Sequence, residues 1–145
     1  MTRRMGIDLG ARFVGVAFHA EEEVPARPEA TVDVKAVPSV IRAIAELAAS
    51  LAVEEIVVGL PLHLDGREGT AAKNARAVAA SLGRRTGLPV VLWDERLTTT
   101  QAQRSRVARG TKGRAGIDAE AAAILLQSYV DAQRGGSGWL DRDDP

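Results

Sequence analysis

Cysteine is absent, and with it go disulfides, thiolate nucleophiles and cysteine zinc sites. A reducing compartment, the cytoplasm, is therefore the expected setting. Aromatic residues are scarce, with two Phe, two Trp and one Tyr, which leaves little material for reading single-stranded bases by stacking. Phe13, Phe18 and Trp93 are expected in the core. The two histidines, His19 and His63, have no partner at zinc-ligand spacing, so a hydrolytic zinc site is not expected. No apolar run approaches the roughly 18 residues of a membrane span. The short apolar run at residues 5–9 is interrupted by Asp8, so neither a signal peptide nor a membrane contact is expected. Excess charge is missing too: 19 basic and 19 acidic side chains cancel, which argues against a protein that coats nucleic acid in bulk.

What is present is uneven. Between Arg96 and Ile117 the only charged residues are Arg96, Arg104, Arg106, Arg109, Lys112 and Arg114, while acids gather at residues 21–23 and 141–144. Such a local basic surface attracts phosphate backbones although the total cancels, whereas taken alone it reads as a solvated helix face. A chain of 145 residues buries about 68–70% of its unfolded surface and suits a single domain. Residues 1–134 are expected to form it. Residues 135–145 begin Gly-Gly-Ser-Gly, end in acids, and are expected to be a disordered tail.

Two β-branched, apolar runs at residues 3–9 and 12–18, separated by Gly10-Ala11, predict an antiparallel hairpin. A third strand is expected at 30–34. From Pro38 onward Val40, Ile41, Ile44, Leu47, Ala48 and Leu51 recur at helical spacing. The run at 54–59 predicts a central strand buried on both faces. Asp65-Gly66 marks a turn, and Thr70 is a candidate cap for a helix to Thr86, stopped by Gly87-Leu88-Pro89. A strand at 90–93, a helix at 98–108, a basic loop at 110–116 and a last helix from Ile117 or Asp118 to about Gln133 complete the pattern. That helix is expected to present Ala121, Ile124, Leu125 and Tyr129 on one face. A hairpin followed by alternating helices and strands predicts a three-layer α/β domain with a mixed sheet.

Three acids stand out. Asp8 occupies a place in an apolar strand where valine or isoleucine would continue the alternation, and an unpartnered buried carboxylate costs several kcal/mol or takes up a proton. Glu95 follows a strand at the sheet edge where α/β ligand sites form. Asp118 stands at a helix start. Each has a structural alternative: a turn role for Asp8, pairing with Arg96 or capping for Asp94 and Glu95, and a helix cap for Asp118. Brought together, the three could hold two magnesium ions about 3.5–4 Å apart, one activating water and the other stabilising the leaving oxygen of a phosphodiester.

The motifs carrying these acids are Gly-Ile-Asp-Leu-Gly with Val14-Gly15-Val16-Ala17, Val58-Gly59-Leu60-Pro61-Leu62 with Asp65-Gly66 and Glu68-Gly69, Asp94-Glu95-Arg96-Leu97-Thr98-Thr99, and Asp118 with Ala121, Ala122 and the helix 124–129. In that order the chain resembles the YqgF/RuvX family of Holliday-junction-resolvase-like proteins, also described as candidate pre-16S ribosomal RNA nucleases. The resemblance runs from Met5 to about Asp131. It implies a ribonuclease-H-like fold with a mixed five-stranded sheet and helices on both faces. It also implies Mg²⁺ or Mn²⁺ dependence, hydrolysis of nucleic-acid phosphodiesters, and a role in 5′-end maturation of 16S rRNA. Asp8, Glu95 and Asp118 would then be the catalytic, metal-binding carboxylates. Arg96, Arg104, Arg109, Lys112 and Arg114, with His63 and Arg67 from the loop 62–69, are candidates for substrate contacts.

The chain departs from the family pattern at Phe13, His63, Leu64, Arg67 and Ala119. Where a related junction resolvase carries a fourth carboxylate one helical turn beyond the third, this chain has Ala121. Glu120 lies two residues on and points elsewhere. That favours precursor rRNA over branched or single-stranded DNA as the nucleic-acid partner. Alternatives are a junction resolvase, a non-catalytic nucleic-acid-binding or transcription-associated protein, and an actin-like ATPase, for which the chain is too short and lacks a second phosphate loop. A monomer or weak homodimer is expected, since only symmetric junction cutting calls for a dimer.

Overall fold

Five strands form one sheet in the order β3-β2-β1-β4-β5, which puts β1 and Asp8 at its centre. The computed structural model describes residues 2–98 and 116–143, with side chains of the last helix described as far as Arg134. β1 (Arg4–Leu9) and β2 (Phe13–His19) make the expected antiparallel hairpin, running from Arg4 opposite His19 to Leu9 opposite Val14. Gly10 N–H donates to the Phe13 carbonyl at 3.0 Å and closes the turn. A Cβ on Gly10 would lie 2.4 Å from that same oxygen, so the turn accepts only glycine.

β3 (Arg27–Asp33) begins three residues earlier than its sequence suggests. It is an edge strand, the place in a sheet that tolerates Pro28, and it pairs antiparallel with β2 across a register shift at Val16/Ala17. β4 (Glu55–Leu60) and β5 (Val90–Asp94) run parallel to β1.

α1 (Val40–Ser50) starts one residue after Ser39, whose hydroxyl accepts from Arg42 N–H at 3.1 Å. α2 (Thr70–Thr86) has the expected span, but Gly69 is its cap and Thr70 its first residue, with no side-chain capping bond. Its end is set by Gly87 in the left-handed conformation at φ 74°. α3 (Gly116–Asp143) continues ten residues past the expected end near Gln133. The glycines at 135, 136 and 138 each disfavour helix by about 1 kcal/mol, yet the backbone ladder runs through them.

Alternation along the strands separates two apolar layers. Met5, Ile7, Val14, Val16, Phe18, Ile56, Val58 and Leu60 pack with Ile44 and Ala48 of α1 and with Ala72, Ala75, Ala79 and Leu82 of α2. Ala17 and Val57 face the other way, onto Ala122, Ala123, Leu126, Tyr129 and Val130 of α3. β4 is thus buried on both faces, as its sequence predicts. The phase of α3 agrees with expectation in part: Leu125 and Tyr129 are buried, but Ala122 and Leu126 are fully buried whereas Ala121 and Ile124 are only partly so. The stretch 119–126 is apolar around nearly its whole circumference, so spacing alone does not select a face. Glycines on the sheet select it. A Cβ on Gly6 would lie 2.8 Å from Leu126 Cβ, and the helix settles where the sheet is bare. Among the described residues no helix is long and apolar enough to cross a membrane.

Candidate active site

The strand-end edge formed by β1, β4 and β5 gathers the three acids singled out by sequence. Asp8 lies opposite Gly15 of β2 in the hairpin register. On its other side Gly59 of β4 is one step beyond the paired residues Ile7 and Val58. Gly15, Asp8 and Gly59 therefore form a row across three adjacent strands, about 10 Å wide at a strand spacing of about 4.8 Å. The row faces α3.

The other two acids occupy the bare ends of that row. Asp118, in the first turn of α3, sits over β2, where a Cβ on Gly15 would meet its backbone oxygen and carbonyl carbon. A Cβ on Gly10 would approach its Oδ1 to 3.1 Å. Asp118 is the third residue of the helix and not its cap, although a carboxylate there still benefits from the helix N-terminal dipole. Glu95 lies over β4, where a Cβ on Gly59 would stand 2.6 Å from its Oε2. Asp94 and Glu95 divide the roles that sequence leaves open between them. Asp94 caps a single 3₁₀ turn (Glu95–Leu97) through Arg96 N–H at 2.9 Å and pairs with the Arg96 guanidinium at 2.7 Å. Glu95 turns inward to Asp8.

The electrostatics follow. Burial raises the Asp8 carboxyl from its ordinary 3.8 to about 7, helped by the negative charges of Glu95 and Asp118 and by a hydrogen bond to Glu95. Desolvation also raises Asp118. Every influence on Asp8 favours its proton, so the protonated Asp8 donates to Glu95 and two acids share one proton. Among the described residues no three acidic or imidazole groups already stand in an arrangement that would hold an ion. The donor set is nonetheless chemically suited to one: hard carboxylate oxygens, partly desolvated, on a floor cleared of side chains at Gly15 and Gly59. A divalent cation is the alternative to the shared proton.

The candidate substrate contacts fall into two groups. Arg96 donates to the Leu64 carbonyl at 3.3 Å in addition to its pair with Asp94, tying the loop 62–69 to the residue beside Glu95. In that loop Arg67 pairs with Asp65 at 2.6 Å, His63 N–H donates to the Arg67 carbonyl at 2.9 Å, and the His63 ring packs over Gly69. The turn at Asp65-Gly66 is present, with Gly66 at φ 89°. Arg104, Arg106, Arg109, Lys112 and Arg114, together with the helix expected at 98–108 and the loop at 110–116, lie outside the described residues.

The glycine floor has no role in the reading from sequence. Its signal was there: an isolated glycine inside a strand marks a close approach, and both Gly15 and Gly59 interrupt apolar runs. Ser128 is a second omission. It accepts from Trp93 Nε1–H at 3.3 Å and donates to the Leu97 carbonyl at 2.8 Å, fastening the turn that carries Glu95 to α3.

Comparison with known proteins supplies the family. The chain is 44% identical over 136 residues to a candidate pre-16S rRNA nuclease of Mycobacterium leprae, covering 91% of this chain and 74% of that one. A protein of the same name from Anaeromyxobacter dehalogenans is 41% identical over 146 residues, covering 99% of each. RuvC of Thermus thermophilus, solved in complex with a Holliday junction substrate, superposes with a TM-score of 0.61 at 18% identity, over 94% of this chain and 97% of that one. At that identity the likeness concerns the fold, which is ribonuclease-H-like. The family model for RuvX, described as Holliday junction resolvase, matches residues 2–132, and the chain belongs to that family.

Proposed function

We propose that this protein is a metal-dependent nuclease, a hydrolase of nucleic-acid phosphodiester bonds, with the 5′ end of precursor 16S rRNA as its substrate. The observation that carries this reading is the row of Asp118, Asp8 and Glu95 above a side-chain-free floor, where burial and the two neighbouring acids push the Asp8 carboxyl up to about 7. Asp8, Glu95 and Asp118 are the residues that would hold Mg²⁺ or Mn²⁺, which when bound supplies an activated water and charge stabilisation for the leaving oxygen. Asp8, at the centre of the row, keeps the three acids compatible by its proton until a cation takes over. Asp118 and Glu95 flank it from α3 and from the turn after β5. Arg96 orients the loop 62–69, and His63 and Arg67 of that loop, with Arg104, Arg109, Lys112 and Arg114, are assigned to substrate phosphates. The relatives named for pre-16S rRNA support the choice of substrate.

A junction resolvase is the second reading, favoured by the family description and opposed by Ala121 at the place of a fourth acid. The test is to incubate purified protein with precursor 16S rRNA, a four-way DNA junction and single-stranded DNA in Mg²⁺ or Mn²⁺, beside Asp8→Asn and Glu95→Gln. Metal-dependent cleavage of the RNA, lost in both variants, is expected. Cleavage of the junction alone selects the resolvase reading, and equal cleavage by wild type and variants refutes both.

A further inference from the structure

Gly59 is the fifth residue of β4 and pairs with Trp93 of β5. It is not among the glycines with positive φ, which among the described residues are Gly66 and Gly87. Its backbone is one that other residues adopt, so the demand for glycine is a demand for space. The occupant of that space is Glu95: a Cβ on Gly59 would lie 2.6 Å from Oε2, 3.1 Å from Cγ and 3.2 Å from Cδ. The carboxyl end of Glu95 thus fills the place a Gly59 side chain would take.

The geometry points to Gly59 as the positioning residue for Glu95, the seat that directs its carboxylate at Asp8. This rests on the reading of Glu95 as a metal ligand. The contrast with Gly15 gives it content. At Gly15 an added Cβ meets backbone, the Asp118 carbonyl and the Ala119 nitrogen, so that glycine is a requirement of helix docking. At Gly59 the added Cβ meets the far end of a flexible side chain, which yields by rotation. To reach ordinary contact at about 3.5 Å the carboxylate retreats by about 0.9 Å. Ligand sets tolerate displacements of only about 0.5 Å. Gly59→Ala therefore leaves the fold in place and misplaces one acid.

The test is a double-substitution cycle read by Mn²⁺ binding to the metal-free protein. Gly59→Ala is expected to weaken Mn²⁺ at least 10-fold, the range for lost ligand support, while the metal-free melting temperature moves by only a few degrees. In a Glu95→Ala background the same Gly59→Ala change should alter Mn²⁺ affinity less than twofold, because the group it acts through is gone. Equal losses in both backgrounds, or unchanged affinity in Gly59→Ala, overturn the assignment. If Gly59→Ala unfolds, recovery of the fold in Gly59→Ala/Glu95→Ala supports the seat and failure to recover refutes it. If the wild type neither binds Mn²⁺ nor cuts, the metal reading falls. The seat is then read by the ¹³C shift of the Glu95 carboxyl carbon in metal-free protein, which must change in Gly59→Ala for the assignment to stand.

Discussion

Replacing Asp8 by asparagine should make the metal-free protein more stable at neutral pH while abolishing its metal response. The folded carboxyl titrates at about 7 against 3.8 when unperturbed. Between those values the folded chain keeps a proton that the unfolded chain has released, so folding takes one up and stability falls as pH rises. The contribution is fully present below about pH 4 and is lost through pH 7. A shift of about three pH units at 1.36 kcal/mol each sets a ceiling of about 4 kcal/mol. Asparagine has nearly the same shape, still donates a hydrogen bond towards Glu95, and never acquires the charge. Urea unfolding in EDTA from pH 4.5 to 8.5 should show wild type losing about 2–4 kcal/mol relative to Asp8→Asn across this range. Adding Mg²⁺ or Mn²⁺ at pH 8 should return stability to the wild type by mass action and give Asp8→Asn much less. Parallel pH profiles for the two proteins in EDTA would refute the shared proton, whatever the activity measurements show.

Gly15→Ala should destabilise by about 3 kcal/mol or more, because its Cβ collides with the backbone of the first turn of α3 and the helix must lift from β2; a denaturation midpoint close to wild type would contradict that packing. His19 is 3% exposed, and neither ring nitrogen has a hydrogen-bond partner among the described residues. His19→Leu should therefore stabilise by about 1–2 kcal/mol. Burial, then Arg4 and Arg134, hold the His19 pKa below 6.5, so the wild type should lose stability relative to His19→Leu as pH falls below about 6.5, a difference visible in paired melts. Arg96→Ala removes an exposed ion pair worth about 0.2–1 kcal/mol. Global stability should hardly change, while amide exchange at residues 63–67 accelerates once the Leu64 carbonyl loses its donor; unchanged exchange would show that the loop braces itself.

How much of this was legible in the sequence depended on how local the cause was. The end of α2 was readable because Gly87 is written beside it, while its start was placed correctly from Thr70 although the cap is Gly69. Asp8 was readable because one acid breaks an apolar strand. The phase of α3 was readable only at Leu125 and Tyr129, since residues 119–126 offer apolar side chains in almost every direction and the choice belongs to Gly6 and Gly15 on another layer. Glu95 was singled out by the sequence, but the capping and pairing role was left open between it and Asp94 for the same reason. Asp94 ends β5 and Glu95 comes next, and only the seat at Gly59 and the guanidinium of Arg96 decide which turns inward. The start of β3 was hidden by Pro28, which argues against a strand until its edge position is known.

The site is consequently indexed to the sheet and not to the loops that carry it. Asp118 arrives on a helix from one layer and Glu95 on a turn after the last strand, yet each is set down on a glycine in a strand next to Asp8. Sheet register fixes the separation of those two glycines at two strand spacings, about 10 Å. Changes in loop length or composition can therefore pass without moving the acids, as long as the helix still docks at Gly15 and the Ser128 bonds still fasten the turn at Leu97. The reverse also holds. A one-residue slip between β1 and β2 would put Val14 or Val16 where Gly15 now receives Asp118, leaving every acid in the sequence and no site in the fold.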